Sequence, residues 1–320
     1  MYLRRFITGF VWLWATALHA KAPLIVASIP PVQAIVKEVV GELQTVEVLM
    51  AAQSSAHGYS LRPSDRRLIE AADRIYWIGP SYEGFLDKLA RRKRKHFVAL
   101  QDTPGLKLLP LRNPHHHHHP SHAHAHHKEH RHAHHHAHNI DGHIWLDPDH
   151  GALMAEAIAK DLAHLDPQHA DQYRANATAL KERLKTLKQE ITSQLSGIAG
   201  IPLFTFHDGY QYFERAFGLP VITALAEDPD QPIAPKALHT FQKSVQQAGS
   251  ACILREHQFP QGLKALKNKA RLHEAVVNPY GEGTHQVGAY ENLLKSMGGA
   301  IASCATAAKA HSRLSKTIQP

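Results

Sequence analysis

A chain of 320 residues with 36 Lys+Arg, 28 Asp+Glu, two cysteines and 28 histidines has room for two domains of ordinary size, each with its own core. With 43 % hydrophobic residues and a mean hydropathy of −0.33, it reads as soluble and globular, neither disordered throughout nor a polytopic membrane protein. The formal charge of +8 permits an anionic partner, but no nucleic-acid motif accompanies it, and the densest basic run, Arg91 to Lys95, reads as the solvated end of a helix, where cations meet the negative pole of the dipole.

In chain order, Arg4 and Arg5, an apolar stretch from Phe6 to Leu18 and small residues at Ala20 and Ala22 read as a secretory leader, residues 1–22, with cleavage after Ala20 or Ala22, its apolar stretch too short to span a bilayer. No cysteine lies near the cleavage point to accept a lipid. The expected compartment is therefore the bacterial periplasm. Four strand segments follow, Leu24 to Ile29, Thr45 to Met50, Arg74 to Ile78 and His96 to Leu100, with helices predicted from Pro31 to Val40, Pro63 to Ala72 and Tyr82 to Ala90. Continuous β-rich strands alternating with helices imply a parallel sheet covered on both faces.

Residues 113–139 break this pattern. They carry His115, His116, His117, His118, His119, His122, His124, His126, His127, His130, His132, His134, His135, His136 and His138, fifteen of the chain's histidines. The segment has too few large apolar residues to offset its ordering entropy, so it is expected to be disordered without metal. Its composition reads as an accessory metal-binding loop, with affinity falling once imidazoles protonate.

Pro148 to Leu165 reads as a helix, and a longer one runs to about Leu195 on a stripe of Tyr173, Leu180, Leu184, Leu187, Ile191 and Leu195. A rod of about 29 residues spans roughly 43 Å. It reads as a stiff connector between two halves, or as ordinary helices of one of them. The second half repeats the scheme, with strands from Pro202 to Phe206, Pro220 to Leu225, Ala251 to Leu254 and Ala275 to Val277. Its helices are predicted from Tyr210 to Phe217, Pro235 to Ala248, Gln261 to Lys269 and Tyr290 to Ala308. In an oxidising compartment Cys252 and Cys304 read as a disulfide closing about fifty residues, stabilising by roughly 4 kcal/mol, with two buried thiols as the alternative.

In open α/β sheets, ligands sit beyond the carboxyl ends of the strands. His57 lies in the loop after the second strand, His143 follows the histidine-rich segment, His207 directly follows the strand ending at Phe206, and Asn278 follows the last strand. The three imidazoles, two from one half and one from the other, are placed to meet between them. Asp208 is either an acceptor for an imidazole N–H or a helix cap. Three histidines without a carboxylate suit zinc, with nickel and copper sharing the donor preference.

The runs His57-Gly58-Tyr59-Ser60-Leu61-Arg62-Pro63-Ser64-Asp65, His143-Ile144-Trp145-Leu146-Asp147-Pro148 and Phe206-His207-Asp208-Gly209-Tyr210-Gln211-Tyr212-Phe213, with the His-rich segment ahead of the second, resemble the ZnuA-type zinc-binding receptors of bacterial ABC transporters. The resemblance implies α/β architecture in two lobes, each a mostly parallel four-stranded sheet with flanking helices, joined by a long rigid helix. The expected division is residues 23–165, a connecting helix at 166–197, and 198–320. It further implies metal between the lobes on His57, His143 and His207, small lobe adjustments rather than wide closure, and the Cys252–Cys304 pair found in some members. Ala56 and Gly58 flank the first histidine where some members carry an acid, and Asn278 stands where relatives with a carboxylate fourth ligand have Asp. The fourth position is then Asn278, water or a loop histidine, in a site less anionic than manganese favours.

The expected function is capture of Zn²⁺, as cargo, and its delivery to an inner-membrane ABC permease, by a monomer that performs no chemistry and binds no nucleic acid. A metal buffer or adhesin without transport is the alternative. A zinc-dependent hydrolase is a remoter one, since no HExxH-like motif is present.

Overall fold

A computed structural model of the protein describes residues 22–51, 58–112, 139–226, 232–256, 271–281 and 286–317. The predicted leader, the His-rich segment and the helix predicted from Gln261 lie outside them. Among the described residues no helix is long and apolar enough to cross a membrane.

The first lobe contains strands β1 (Ile25–Ala27), β2 (Val46–Val48), β3 (Arg74–Trp77) and β4 (Phe97–Ala99), and helices α1 (Pro30–Val40), α2 (Pro63–Ala71) and α3 (Gly84–Arg92). The strands form one parallel sheet in the order β2-β1-β3-β4. Ile25, Val26 and Ala27 are wholly buried, as a central strand covered on both faces requires. Two cores result, one on each face of this sheet.

Tyr82 and Glu83, predicted as helical, precede α3 instead. The Glu83 carboxylate turns back onto the chain entering the loop, accepting from Ile78 N at 3.2 Å and Gly79 N at 3.0 Å, and from the Ser28 hydroxyl. Burial pushes this carboxyl up to about 7, against the pull of those donors. The diversion frees the Tyr82 ring to reach the interlobe seam.

Helix α4 (Pro148–Leu165) starts where Asp147 accepts the Asp149 N–H at 2.9 Å, an N-cap followed by proline in the first turn. Asp166 then takes hydrogen bonds from Tyr173 Oη at 2.6 Å and His169 Nδ1 at 2.7 Å, which fixes a short 3₁₀ turn before α5 (Ala170–Leu195). The long helix is therefore somewhat shorter than expected, 26 residues or roughly 39 Å. Its apolar stripe includes the predicted residues with Ala177, all buried. It packs on α1 and α4 of one lobe and on the final helix of the other, which makes it the rigid joint between lobes.

The second lobe contains β5 (Leu203–His207), α6 (Gln211–Phe217), β6 (Thr223–Ala226), α7 (Pro235–Gln247), β7 (Ser250–Arg255), β8 (Arg271–Val276) and α8 (Ala289–Thr317). Its sheet is again parallel, ordered β6-β5-β7-β8. Cys252 and Cys304 form a disulfide between β7 and α8, with Cα atoms 6.0 Å apart. Strand β8 begins earlier than predicted, pairing with β7 from Ser250 level with Arg271, and α8 continues past Ala308 to Thr317.

The lobes are joined closely. Trp145 Nε1 donates to Pro279 O at 2.8 Å, Tyr290 Oη donates to Trp145 O at 2.6 Å, and Tyr82 and Tyr280 share a hydroxyl hydrogen bond. Arg112 bridges across to Asp208 at 3.1 Å and to Glu214. Arg183 of α5 binds Glu38 and Glu291, and Gly288 N donates to Glu38.

Candidate metal centre

His207 is the last residue of β5 and lies level with Ala226 of β6. The chain then turns sharply, with Asp208 N bonded to Ala226 O at 3.0 Å and Gly209 N to His207 O at 3.1 Å. This delivers the imidazole to the carboxyl end of the sheet, into the seam, where it is 5 % exposed. His143 arrives from the other lobe by a different device. Residues 109–111 and 139–141 run side by side, with Asp141 N on Leu109 O and Leu111 N on Asn139 O, both at 2.9 Å. His143 follows, just before a 3₁₀ turn (Ile144–Leu146), and is also 5 % exposed.

The two rings come together with centroids 4.9 Å apart. Two imidazoles on one tetrahedral zinc, with Zn–N near 2.0–2.1 Å, have centroids about 5 Å apart. Nε2 of each ring is shut off from solvent. Backbone approaches both rings at Gly209, where a Cβ would stand 2.9 Å from His143 Nε2 and 2.9 Å from His207 Cε1. Only glycine fits that approach.

Asp141 sets the orientation of His143. Its wholly buried carboxylate accepts from His143 Nδ1 at 2.7 Å and from His143 N at 3.0 Å through Oδ1, and from Gln211 Nε2 at 3.1 Å through Oδ2. An imidazole that donates Nδ1–H to a carboxylate presents Nε2 as the donor to metal, with its basicity raised. The sequence reading missed Asp141. Its signal was available as the acid two residues before a candidate ligand. Asp208 directs its carboxylate to Arg112, and the cap residue of α6 is Tyr210.

Aromatic rings wall the pair. Tyr82 lies edge-on to His143 at 5.1 Å and to Trp145 at 5.0 Å, with Trp145 5.2 Å from His143. Glu256, just beyond β7, accepts from Tyr210 Oη at 2.7 Å. Burial pushes the Glu256 carboxyl up, opposed by that hydrogen bond and by the nearby His143. The Tyr82 and Tyr210 phenols are pushed well above their ordinary range, first by burial and then by Tyr280 and Glu256 respectively. Both stay protonated and serve as walls and donors rather than as bases. Glu256 was also missed, although its place beyond a strand's carboxyl end is where ligand-contacting groups of α/β sheets collect.

Asn278 uses its amide within its own turn, donating to Gly281 O at 2.8 Å and accepting from Tyr280 N at 3.2 Å. His57 and the loop histidines lie outside the described residues. Among the described residues no three His, Cys, Asp or Glu side chains are assembled around a common point, so there the centre consists of the His143–His207 pair and its supports.

Residues 25–304 match the family model for ZnuA, the periplasmic component A of the zinc-uptake complex. The chain belongs to the ZnuA family. Among similar ZnuA proteins, the high-affinity zinc uptake system protein of Brucella abortus (strain 2308) is 34 % identical over 322 residues, covering 93 % of this chain and 96 % of that one. Its counterpart in Paracoccus denitrificans (strain Pd 1222) is 34 % identical over 307 residues, covering 91 % and 94 %. A crystal structure of ZnuA superposes with a TM-score of 0.70 at 23 % identity, covering 89 % of this chain and all of that one. The structural likeness shows the ZnuA fold of two lobes.

Proposed function

We propose that the protein is the zinc-receiving component of a periplasmic uptake system, taking Zn²⁺ as cargo on His143 and His207 together with His57. The observation that carries this reading is the convergence of two imidazoles from different lobes at 4.9 Å, one of them held by a buried carboxylate. Water, Asn278 or a loop histidine completes the coordination. Residues 23–165 and 198–320 act as the two lobes, with 166–197 between them.

The protein binds and releases; it catalyses nothing. Borderline Zn²⁺ suits the imidazoles, and the aromatic walls keep water from competing. Release to an ABC permease follows from small shifts along the seam that separate His143 from His207. The Trp145–Pro279 and Tyr82–Tyr280 contacts resist wide opening, so a displacement of about an ångström is enough to spoil the coordination. The leader at 1–22 exports the chain, and the mature protein works as a monomer.

Zinc titration of the protein and of its His57→Ala, His143→Ala and His207→Ala variants tests the assignment. Each variant is expected to lose the tight site while keeping its fold. Retention of that site in all three would reject the reading, whatever the His-rich segment binds.

A further inference from the structure

A second pair of imidazoles lies far from the seam. His273 on edge strand β8 and His311 on α8 face each other with ring centroids 5.7 Å apart and ring planes at 71°. Strand register and helix period together explain why they meet. His273 is the sheet partner of Cys252, and residues level in adjacent strands share a face. Cys252 is bonded to Cys304 of α8, and His311 lies seven residues, two helical turns, beyond Cys304 on the same helix face. The disulfide and the imidazole pair are therefore two parallel ties between this sheet and this helix. Ser250 Oγ, donating to Ala308 O at 2.8 Å, seats the same stretch of helix.

The space around His273 is shaped by small side chains. Ala300, Ser303 and Ala307 of α8 leave a cavity of about 380 Å³ against β8, open to solvent and lined also by Glu274. His273 borders it, so an ion held at that ring has room for bound waters. The centroid spacing of 5.7 Å is wider by about 0.7 Å than the value of about 5 Å for two imidazoles on one tetrahedral ion, a gap that a small rotation of the exposed His311 side chain closes.

We propose that His273 and His311 form a second, peripheral site for a borderline divalent transition-metal cation, bridging the edge strand to the final helix, with water completing the shell. Two imidazoles select such cations over calcium or magnesium, which prefer oxygen donors. With two fixed protein ligands and open access to water, the site binds more weakly than the seam. It draws on residues separate from those of the proposed receptor function and does not depend on that reading.

Anomalous diffraction at the zinc edge, from crystals of the whole protein grown with excess ZnCl₂, tests the proposal. A peak bonded to both His273 and His311 is expected, and its loss in His311→Ala. No peak there, a peak that survives His311→Ala, or one that takes ligands from a neighbouring molecule and is then a lattice-bound ion only, would overturn it. A solution test uses Cu²⁺ with ascorbate, which oxidises coordinating histidines, read by peptide mass. His273 and His311 should be oxidised above the level of exposed His239, and His273→Ala should bring His311 down to that level. Equal oxidation of all three, or an unchanged His311 in the variant, would contradict a shared ion. Far-ultraviolet dichroism and an intact disulfide confirm that the variants are folded.

Discussion

The two imidazole pairs use the same chemical group in opposite surroundings. At the seam, His143 and His207 are each 5 % exposed, walled by Tyr82 and Trp145, with one ring pinned by Asp141. At the lobe edge, His311 is exposed, and His273 borders an open cavity. A metal site depends on its supports as much as on its ligands. The seam pays the entropy of ordering its rings during folding, whereas the edge pair must order them when metal arrives. In the proposed reading, this difference in preorganisation is what separates a tight site from a weak one.

The contrast can be broken in several ways. The largest effect is expected from His207→Ala or His143→Ala, which should weaken zinc binding at the seam by more than about a hundredfold, beyond what loss of an outer partner typically costs. Calorimetric titration reads this, and the His273–His311 site should be unmoved.

Asp141→Asn comes next. The ring keeps its place but loses its fixed tautomer, and zinc affinity should drop about 10- to 100-fold. If affinity is unchanged, the carboxylate contributes only to folding.

Gly209→Ala forces a methyl group against both rings. Overpacking of this kind costs about 1–3 kcal/mol, so affinity should fall roughly tenfold. Thermal stability measured with and without zinc separates damage to the site from damage to the fold.

The smallest effect is expected away from both pairs, at Glu38. Burial holds its carboxyl at about 7, against an ordinary 4.5, with the Gly288 N–H as the main opposing influence. Between those values the folded protein binds more protons than the unfolded chain, so stability falls as pH rises through the window. Glu83, also pushed up to about 7 by burial, adds slope of the same sign. Glu38→Gln should flatten the fall, measured as the urea midpoint across that window, without changing zinc affinity at the seam.

Each of the eight strands among the described residues lies on a predicted one, the central ones because strands buried on both faces must be continuous apolar runs, whereas only the end of the polar edge strand β8 was anticipated. Strand ends were less legible. The Ser28 and Glu83 side chains act across the turn after β3, and no local pattern reveals such a long-range partner. His207 was legible as a candidate ligand from its place at a strand's end, and His143 from its position after the His-rich segment; the structure brings the two rings together. Asp141 and Glu256 were not, since an acid in a loop has many possible partners until the chain folds. The His273–His311 pair was hidden for a related reason. Neither residue has a local signal, and only strand register and helix phase bring them together.

Sequence alone determined the alternation of strands and helices, the apolar stripe of the long helix, and the supply of imidazoles beyond the strand ends. These follow from local rules of burial and period, which neighbouring residues can satisfy without reference to distant ones. Tertiary structure alone decided which imidazoles face each other, which carboxylate orients His143, and how closely Gly209 lets the backbone approach. Each of these is a contact between parts of the chain remote in sequence, fixed by the packing of two lobes on one helix, and such distances do not exist until that packing is complete.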